Sequence, residues 1–397
     1  MIVVLFWTAA AIIFYTYAGY PSWMYLRSRI APHPWKRAEI YPAVSVVMAV
    51  HNGAGALQEK VDHLLSLSYP VKELIVVSDG SYDGTDEILS SVADPRLIPI
   101  ISSEHRGKAS ALNQGIQRAT GDILAFIDLR PRLESKALQE LVSNFADPNV
   151  GCAAGHLFLR TRDHDSGASA VSGVYWRYEQ WVRKCEALVG SPVGVYGGFY
   201  AVRRELATPL PEGLILDDMY QPLCVVRQGF RSVFDEKARA WDIWPKTSAG
   251  EFNRKVRTLV GNYQLLQKAS WLLGSENPLR FRLISHKLLR LATPFLFLFL
   301  ILANCALRAT QPYAAMLALQ AVFYGFASVG FLWDIPRGAP FRWTRERVRA
   351  VKRGCLGGVI HLFIPTQLAA GSLGQETNPC RSAAGSPQPC SLTAFRL

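Results

Sequence analysis

Three stretches of this chain carry acidic side chains to places where an apolar run stops. The first is GDILAFIDLRPRLE, Gly121–Glu134, in which ILAFI runs straight into Asp128 and Arg130 follows two residues later. A carboxylate at the end of a buried strand can bind a hard cation, but such a site would want a second carboxylate where Arg130 stands. Arg130 admits other chemistry: its planar fork suits phosphate oxygens, and with Pro131 after it the backbone is extended and could also point it into solvent. The second stretch is SDGSYDGT, Ser78–Thr85. Asp79-Gly80 is ordinary turn chemistry, and Asp79 is equally a good acceptor for the hydroxyls or N–H groups of a ligand. The third is EGLILDDMYQPL, where Asp217 and Asp218 precede a helical pattern that Gly229 could end. One of the pair could cap that helix and leave the other for chemistry. Lys108, in RGKASALN, opens a further helical pattern. There its charge adds to the helix N-terminus as a phosphate attractor, unless it is an ordinary solvated lysine.

The elements that must position these residues are legible around them. VSVVMAV (Val44–Val50), ELIVVS (Glu73–Ser78), LIPII (Leu97–Ile101) and ILAFID (Ile123–Asp128) read as buried strands. Helical patterns separate them at Leu57–Leu67, Thr85–Val92, Lys108–Ala119 and Ser135–Phe145. Alternation of this kind with near-continuous apolar strands predicts an α/β domain with a parallel, doubly wound sheet. Ligands in such sheets bind beyond the carboxyl ends of the strands, which selects His51-Asn52-Gly53, Asp79-Gly80-Ser81 and Asp128. No G-x-G-x-x-G follows the first strand, so a dinucleotide fold is not indicated.

The chain has 397 residues, half of them hydrophobic, which fits one or two domains with membrane segments. Residues 1–24 carry no charge and are long enough to span a hydrocarbon core of about 30 Å. They lack the basic start and small-residue cleavage site of a signal peptide, and so read as an uncleaved transmembrane helix. Residues 291–307 and 313–333 read as two more. Arg337–Arg353 holds seven Lys/Arg against one Glu, which the positive-inside rule assigns to the cytoplasm. Traced back through two spans, residues 31–250 are a cytoplasmic domain and the N-terminus lies outside. Residues 251–285, mixing Arg, Lys, Leu, Val and Trp, read as interfacial amphipathic helices. Residues 335–353 form a basic cytoplasmic segment. Residues 354–397 hold a short apolar stretch that could dip into the membrane and a flexible Gly/Ser/Pro/Ala tail. The net charge of +12 is explained by juxtamembrane Arg and Lys facing anionic lipid, and no nucleic-acid motif accompanies it. Seven scattered cysteines without a CxxC pair suggest reduced thiols.

VSVVMAVHNG, ELIVVSDGSYDGT, HRGKASALNQGIQRATGDILAFID, GGFYAVRREL, LDDMYQPLCVVRQGFR and RKVRTLVGNYQLL occur in that order. In this the chain resembles the membrane-bound family 2 glycosyltransferases, among them the catalytic chains of cellulose, hyaluronan and poly-N-acetylglucosamine synthases. The likeness runs from about Val44 to Leu266. It implies a GT-A, Rossmann-like nucleotide-diphospho-sugar transferase domain with flanking transmembrane helices. It further implies an inverting enzyme of the cell (inner) membrane that moves a hexosyl or N-acetylhexosaminyl group from a nucleotide donor, UDP-linked in this reading. The acceptor would be a glycan or a lipid-linked molecule, in extracellular or capsular polysaccharide synthesis. Transfer of one sugar to a polyprenyl phosphate is an alternative, and a non-catalytic nucleotide-sugar binder is another. Further membrane subunits are left open.

Residue by residue, the resemblance sets His51 and Asn52 near the base, Asp79 near the uracil or ribose, and Lys108 at the phosphates. Asp128 matches the first Asp of the family's Asp-x-Asp, which holds Mg2+ or Mn2+ against the diphosphate. Arg130 replaces the second Asp, so either Asp128 still helps bind the metal or Arg130 itself neutralises the diphosphate. Asp218 corresponds to the catalytic base, with Asp217 in the preceding acidic slot. Gly197 and Gly198 fall in the segment that shapes the acceptor site, where they could admit a sugar closely or mark a tight turn. In the family's Gln-x-x-Arg-Trp, only Arg257 is retained; Arg254 and Thr258 replace the Gln and Trp, which leaves processivity open. The aromatic run Val174–Trp181 could stack on sugars or pack in the core, and His105, His156 and His164 show no ligand spacing.

Overall fold

The computed structural model describes residues 1–160, 167–243 and 248–333; the basic segment, the short apolar stretch, the tail and His164 lie outside them. Eight strands form one sheet: β1 (Val44–Val50), β2 (Glu73–Asp79), β3 (Leu97–Ser102), β4 (Ile123–Ile127), β5 (Arg132–Leu133), β6 (Val150–Arg160), β7 (Phe199–Arg203) and β8 (Arg231–Ile243). Their order across the sheet is β3-β2-β1-β4-β7-β6-β8-β5.

The four strands read from the sequence are parallel, with β1 between β2 and β4 and β3 at the edge. The other half departs from an all-parallel sheet. β7 runs antiparallel to both β4 and β6, β6 is parallel to β8, and β5 pairs antiparallel with β8. The sheet is therefore mixed. The reversal at β7 matters for the site, because it delivers the chain before Phe199 to the carboxyl end of β4. Phe199 pairs with Ile127, and the Asp128 amide donates to Gly198 O at 3.2 Å.

Alternate side chains of each central strand enter two cores, as the two-residue period requires. Val46, Met48, Ile123 and Ile127 pack with Leu57, Val61 and Leu141 of the helices Ala54–Leu65 and Ala137–Ser143. Val47, Ile75, Leu124 and Phe126 pack with Leu112 and Leu223 of the helices Lys108–Arg118 and Asp217–Arg227. Burial on both faces is why these strands read as near-continuous apolar runs. Each such side chain contributes about 1.5–3 kcal/mol.

Two helices, Ile2–Ile30 and Arg280–Leu307, are long and apolar enough to cross a membrane. They meet through Phe6, Ala9, Leu300 and Ala303, together with Tyr313 at the start of a third helix, Tyr313–Trp333. Trp7, Phe14, Phe295, Leu298 and Leu302 stay exposed, an apolar surface larger than water-facing helices carry. Lower down, Tyr20 and Met24 pack on Val182 and Cys185 of the helix Gly167–Val189. There the buried Glu179 accepts from Lys287 Nζ at 2.6 Å and from Arg290, while Glu186 accepts from Tyr20 and meets His286 Nδ1 at 2.8 Å. Burial alone would raise the Glu179 carboxyl, but Lys287, His286 and Arg290 hold it well below the usual carboxylate range. An ionic cluster thus locks the long apolar helices to the sheet domain. Where amphipathic helices are expected over residues 251–285, one helix runs from Ser248 to Lys268, breaks at Ala269 and is followed by a 3-10 turn, Ser270–Leu273.

Candidate active site

The loops that follow β1 and β2 are stitched together. Asn52 sits in the left-handed region (φ 52°), which Asn tolerates better than most side chains. Its N–H donates to Ser81 Oγ at 3.1 Å, and its side-chain oxygen accepts from the Tyr82 amide at 3.0 Å. Gly53 N donates to Thr85 Oγ1 at 2.9 Å and Ala54 N to Asp83 Oδ2 at 3.0 Å.

Asp79 ends β2 with its carboxylate turned inward and only 2% exposed. Oδ1 accepts from Arg106 N and Oδ2 from Gly107 N, both at 2.8 Å, and His105 Nδ1 lies 2.9 Å from Oδ2. Asp79 therefore acts on the site through the 105–107 loop, which leads into the helix that Lys108 opens. Gly80 is required beside it: φ is +62°, and a Cβ there would lie 2.4 Å from His105 N. His51 and His105 both reach Asp79 O, at 2.8 and 3.1 Å, and their rings lie 3.9 Å apart. His51 and Asn52 are joined at 3.1 Å. The pairing of His105 with His51 is invisible in sequence, where the two stand 54 residues apart.

The second group of charges surrounds Lys108. Its Nζ lies 3.0 Å from Asp128 Oδ1 and 3.1 Å from Asp217 Oδ1. Burial would lower this ammonium, but Asp217 and Asp128 together raise it above the ordinary lysine value. Asp217 is buried and accepts a long hydrogen bond, 3.4 Å, from Tyr200. Burial pushes Asp217 up, while Lys108 pulls it down. The helix here starts at Asp217 with Leu216 in the cap position and no side-chain cap bond, so neither Asp caps it as the sequence suggested. Asp218 is half-buried. Its carboxyl is pushed up to about 6, first by burial and then by the Asp217 charge, against the pull of Lys108 and Arg183. Among the described residues, none donates a hydrogen bond to its carboxylate. Gly197 lies against it, so that a Cβ there would sit 2.9 Å from Asp218 Cβ and 3.1 Å from Oδ2. Gly198 touches Tyr196, whose hydroxyl would be 2.5 Å from an added Cβ.

Arg130 is largely exposed and pairs with Asp242 at 3.4 Å. Asp128 is thus the acid that the Asp-x-Asp position contributes. Among the described residues, no group of three or more His, Cys, Asp or Glu is arranged to hold a metal ion. An ion held here would have to draw most of its ligands from phosphate oxygens. Arg257 is on the exposed face of its helix, whereas Arg254, one turn earlier, acts electrostatically on Tyr196. The structure brings together His51, Asn52 and Asp79 in one group, and Lys108, Asp128, Asp217, Asp218, Gly197 and Gly198 in the other. Trp176 of the aromatic run donates to Leu157 O and packs against the core.

Residues 45–207 match the family model "Glycosyl transferase family 2". The poly-beta-1,6-N-acetyl-D-glucosamine synthase of Staphylococcus aureus is 25% identical over 228 residues, 56% of this chain and 55% of the relative. Its Staphylococcus epidermidis counterpart is 24% identical over 233 residues, 57% of this chain and 56% of the relative. The match thus spans about half the length of these relatives. A mannosyltransferase from Pyrobaculum calidifontis, solved with GDP-Man and Mn2+, superposes with a TM-score of 0.66 at 24% identity, covering 89% of this chain and 99% of that one. The sheet domain has the GT-A fold, and the chain carries a family 2 glycosyltransferase domain.

Proposed function

We propose that this glycosyltransferase domain transfers a sugar with inversion from a nucleotide donor to a glycan or lipid-linked acceptor at the cytoplasmic face of the cell membrane. UDP is the nucleotide favoured by the resemblance, and polysaccharide synthesis the setting. The observation that carries this reading is the pairing of two unlike charge groups: a lysine between Asp128 and Asp217, and, next to it, an Asp218 that accepts from no donor among the described residues and whose carboxyl is raised to about 6. In this reading the nucleoside lies against the His51–Asn52 and Asp79 loops. The diphosphate meets the N-terminus of the Lys108–Arg118 helix, with Lys108, Arg130 and Arg257 as cations. Asp218 takes the proton from the acceptor hydroxyl as that oxygen attacks the anomeric carbon. Gly197 and Gly198 leave room for the acceptor, and Asp217 holds Lys108. A divalent ion, Mg2+ or Mn2+, when bound through Asp128, would neutralise charge on the leaving diphosphate.

Thr258, exposed where processive relatives are expected to carry Trp, favours short transfer, such as one sugar to a polyprenyl phosphate, over chain growth. The test is nucleoside-diphosphate release by the purified, detergent-solubilised protein, with a panel of nucleotide sugars and membrane extract as acceptor, with and without EDTA. Release from one donor, depending on the extract, is expected. Binding of donors without release from any would overturn the catalytic reading in favour of a non-catalytic binder.

A further inference from the structure

We infer that Lys60 is a positioning residue of the donor site, holding the loop that carries Asp128 and Arg130 in place against the loop that carries His51 and Asn52. The inference rests on the nucleotide-diphosphate reading above. Lys60 lies in the helix Ala54–Leu65, which begins straight after His51-Asn52-Gly53. That end of the helix is tied down, since Gly53 N and Ala54 N donate to Thr85 and Asp83. The helix then receives the segment that leaves β4 at three points. Leu129 packs on Gly53, where an added Cβ would lie 2.7 Å from the leucine Cδ2. Pro131 O accepts from Lys60 Nζ, and Leu133 N donates to His63 Nε2 at 3.1 Å. Lys60 and His63 are three residues apart and so share one helix face. Residues 129, 131 and 133 are thereby held to the helix, while Asp128 meets Lys108 and Arg130 meets Asp242.

A bond to one carbonyl does not by itself call for a buried ammonium. Lys60 is 5% exposed, and a charge taken out of water is costly unless it is compensated. A neutral donor would serve the bond without that cost. Burial brings the Lys60 pKa down to about 8, Asp128 and Asp242 act to hold the charge, and Arg132 acts against it. At neutral pH the ammonium is therefore charged, and its field falls on the loop that a diphosphate would meet. Among the described residues Lys60 donates to backbone alone, so it acts through that loop. His63 completes the hold from the same face. Its Nε2 must be unprotonated to accept from Leu133 N, and burial, with Lys60 and Arg132 nearby, lowers the imidazole pKa in that sense. Glu59 adds an exposed pair with Arg132. The helix thus couples the nucleoside loop at its start to the diphosphate loop along its flank, and a shift at Lys60 would move Asp128 and Arg130 together.

The test is UDP binding by the full chain in detergent with Mg2+ present, measured by isothermal titration for wild type, Lys60→Met, Arg130→Ala and the double variant. Thermal unfolding checks that each is folded. Lys60→Met keeps the apolar stem and removes the charge and the donor, and should weaken UDP binding about tenfold. Arg130→Ala should weaken binding several-fold in wild type but by less than about twofold beside Lys60→Met, because the loop it stands on has already moved. A role in packing alone would lower the melting temperature and leave the two effects additive. His63→Leu, which removes the acceptor for Leu133 N, should weaken UDP binding in the same direction and takes the place of Lys60→Met if that variant does not fold. Unchanged UDP affinity in the folded variant, or additive effects, would overturn the inference alone. No UDP binding by wild type would overturn the nucleotide reading along with it.

Discussion

Asp79 and Asp218 are the same residue type at the edge of the same site, one in the parallel half of the sheet and one beside the antiparallel half. Asp79 is buried and saturated: two backbone amides at 2.8 Å and one imidazole satisfy it. Asp218 is half-buried, accepts from no described donor, and feels a second carboxylate next to it in the chain. Saturation makes a rigid strut, which suits a loop that must hold a nucleoside. An undonated carboxylate with its proton affinity raised towards neutrality suits proton transfer. In the proposed reading, the two halves of the fold thus divide binding from chemistry.

This division can be broken by exchanging the effects of the two acids. Asp218→Asn should lower transfer by about a thousandfold, within the usual range for a general base, while donor binding in equilibrium dialysis stays as in wild type. Asp79→Ala removes two hydrogen bonds to a charged group, each contributing about 1.5–3 kcal/mol. Its effect should fall on donor affinity, weakened on the order of a hundredfold, and on the melting temperature, more than on turnover at saturating donor. Gly197→Ala drives a methyl against Asp218 and should cut turnover by about tenfold through misplacement of the base, with donor affinity unchanged in the same dialysis. Lys108→Met removes a proposed diphosphate cation and leaves Asp128 and Asp217 without their shared ammonium, so donor affinity should fall too, and its smallest effect is on the pH profile. Lys108 lowers the Asp218 carboxyl, so its loss should move the acid limb of the pH–rate profile to higher pH. A limb that moves down, or an Asp79 variant that loses turnover but keeps affinity, would blur the distinction.

The donor half was legible in the sequence because its signals are local. β1, β2 and β4 are near-continuous apolar runs that lead directly into polar residues, and the ends of parallel strands are where ligands bind. The observed strands agree with the expected ones to within one residue at each end. The other half was not legible, because its meaning lies in pairing between distant segments. Nothing near Phe199 announces that β7 runs backwards beside β4, yet that reversal sets Gly198 against Asp128. Asp242 looks like any strand-end acid until the fold sets it beside Arg130. His105 likewise gains its place from Asp79, 26 residues earlier. The cap expected at Asp217 or Asp218 failed for a physical reason, since Asp217 holds Lys108 instead.

The most direct test of the division is the pH dependence of kcat/KM for wild-type transfer, with the fold monitored by thermal unfolding across the same range. With Asp218 as the proposed base, its carboxylate form is the active one, so the rate is expected to rise as pH increases through the free-enzyme value of that group. The account predicts an acid limb of unit slope centred near pH 6. A profile that stays flat down to pH 4.5 in folded protein would contradict it and move the base to another group.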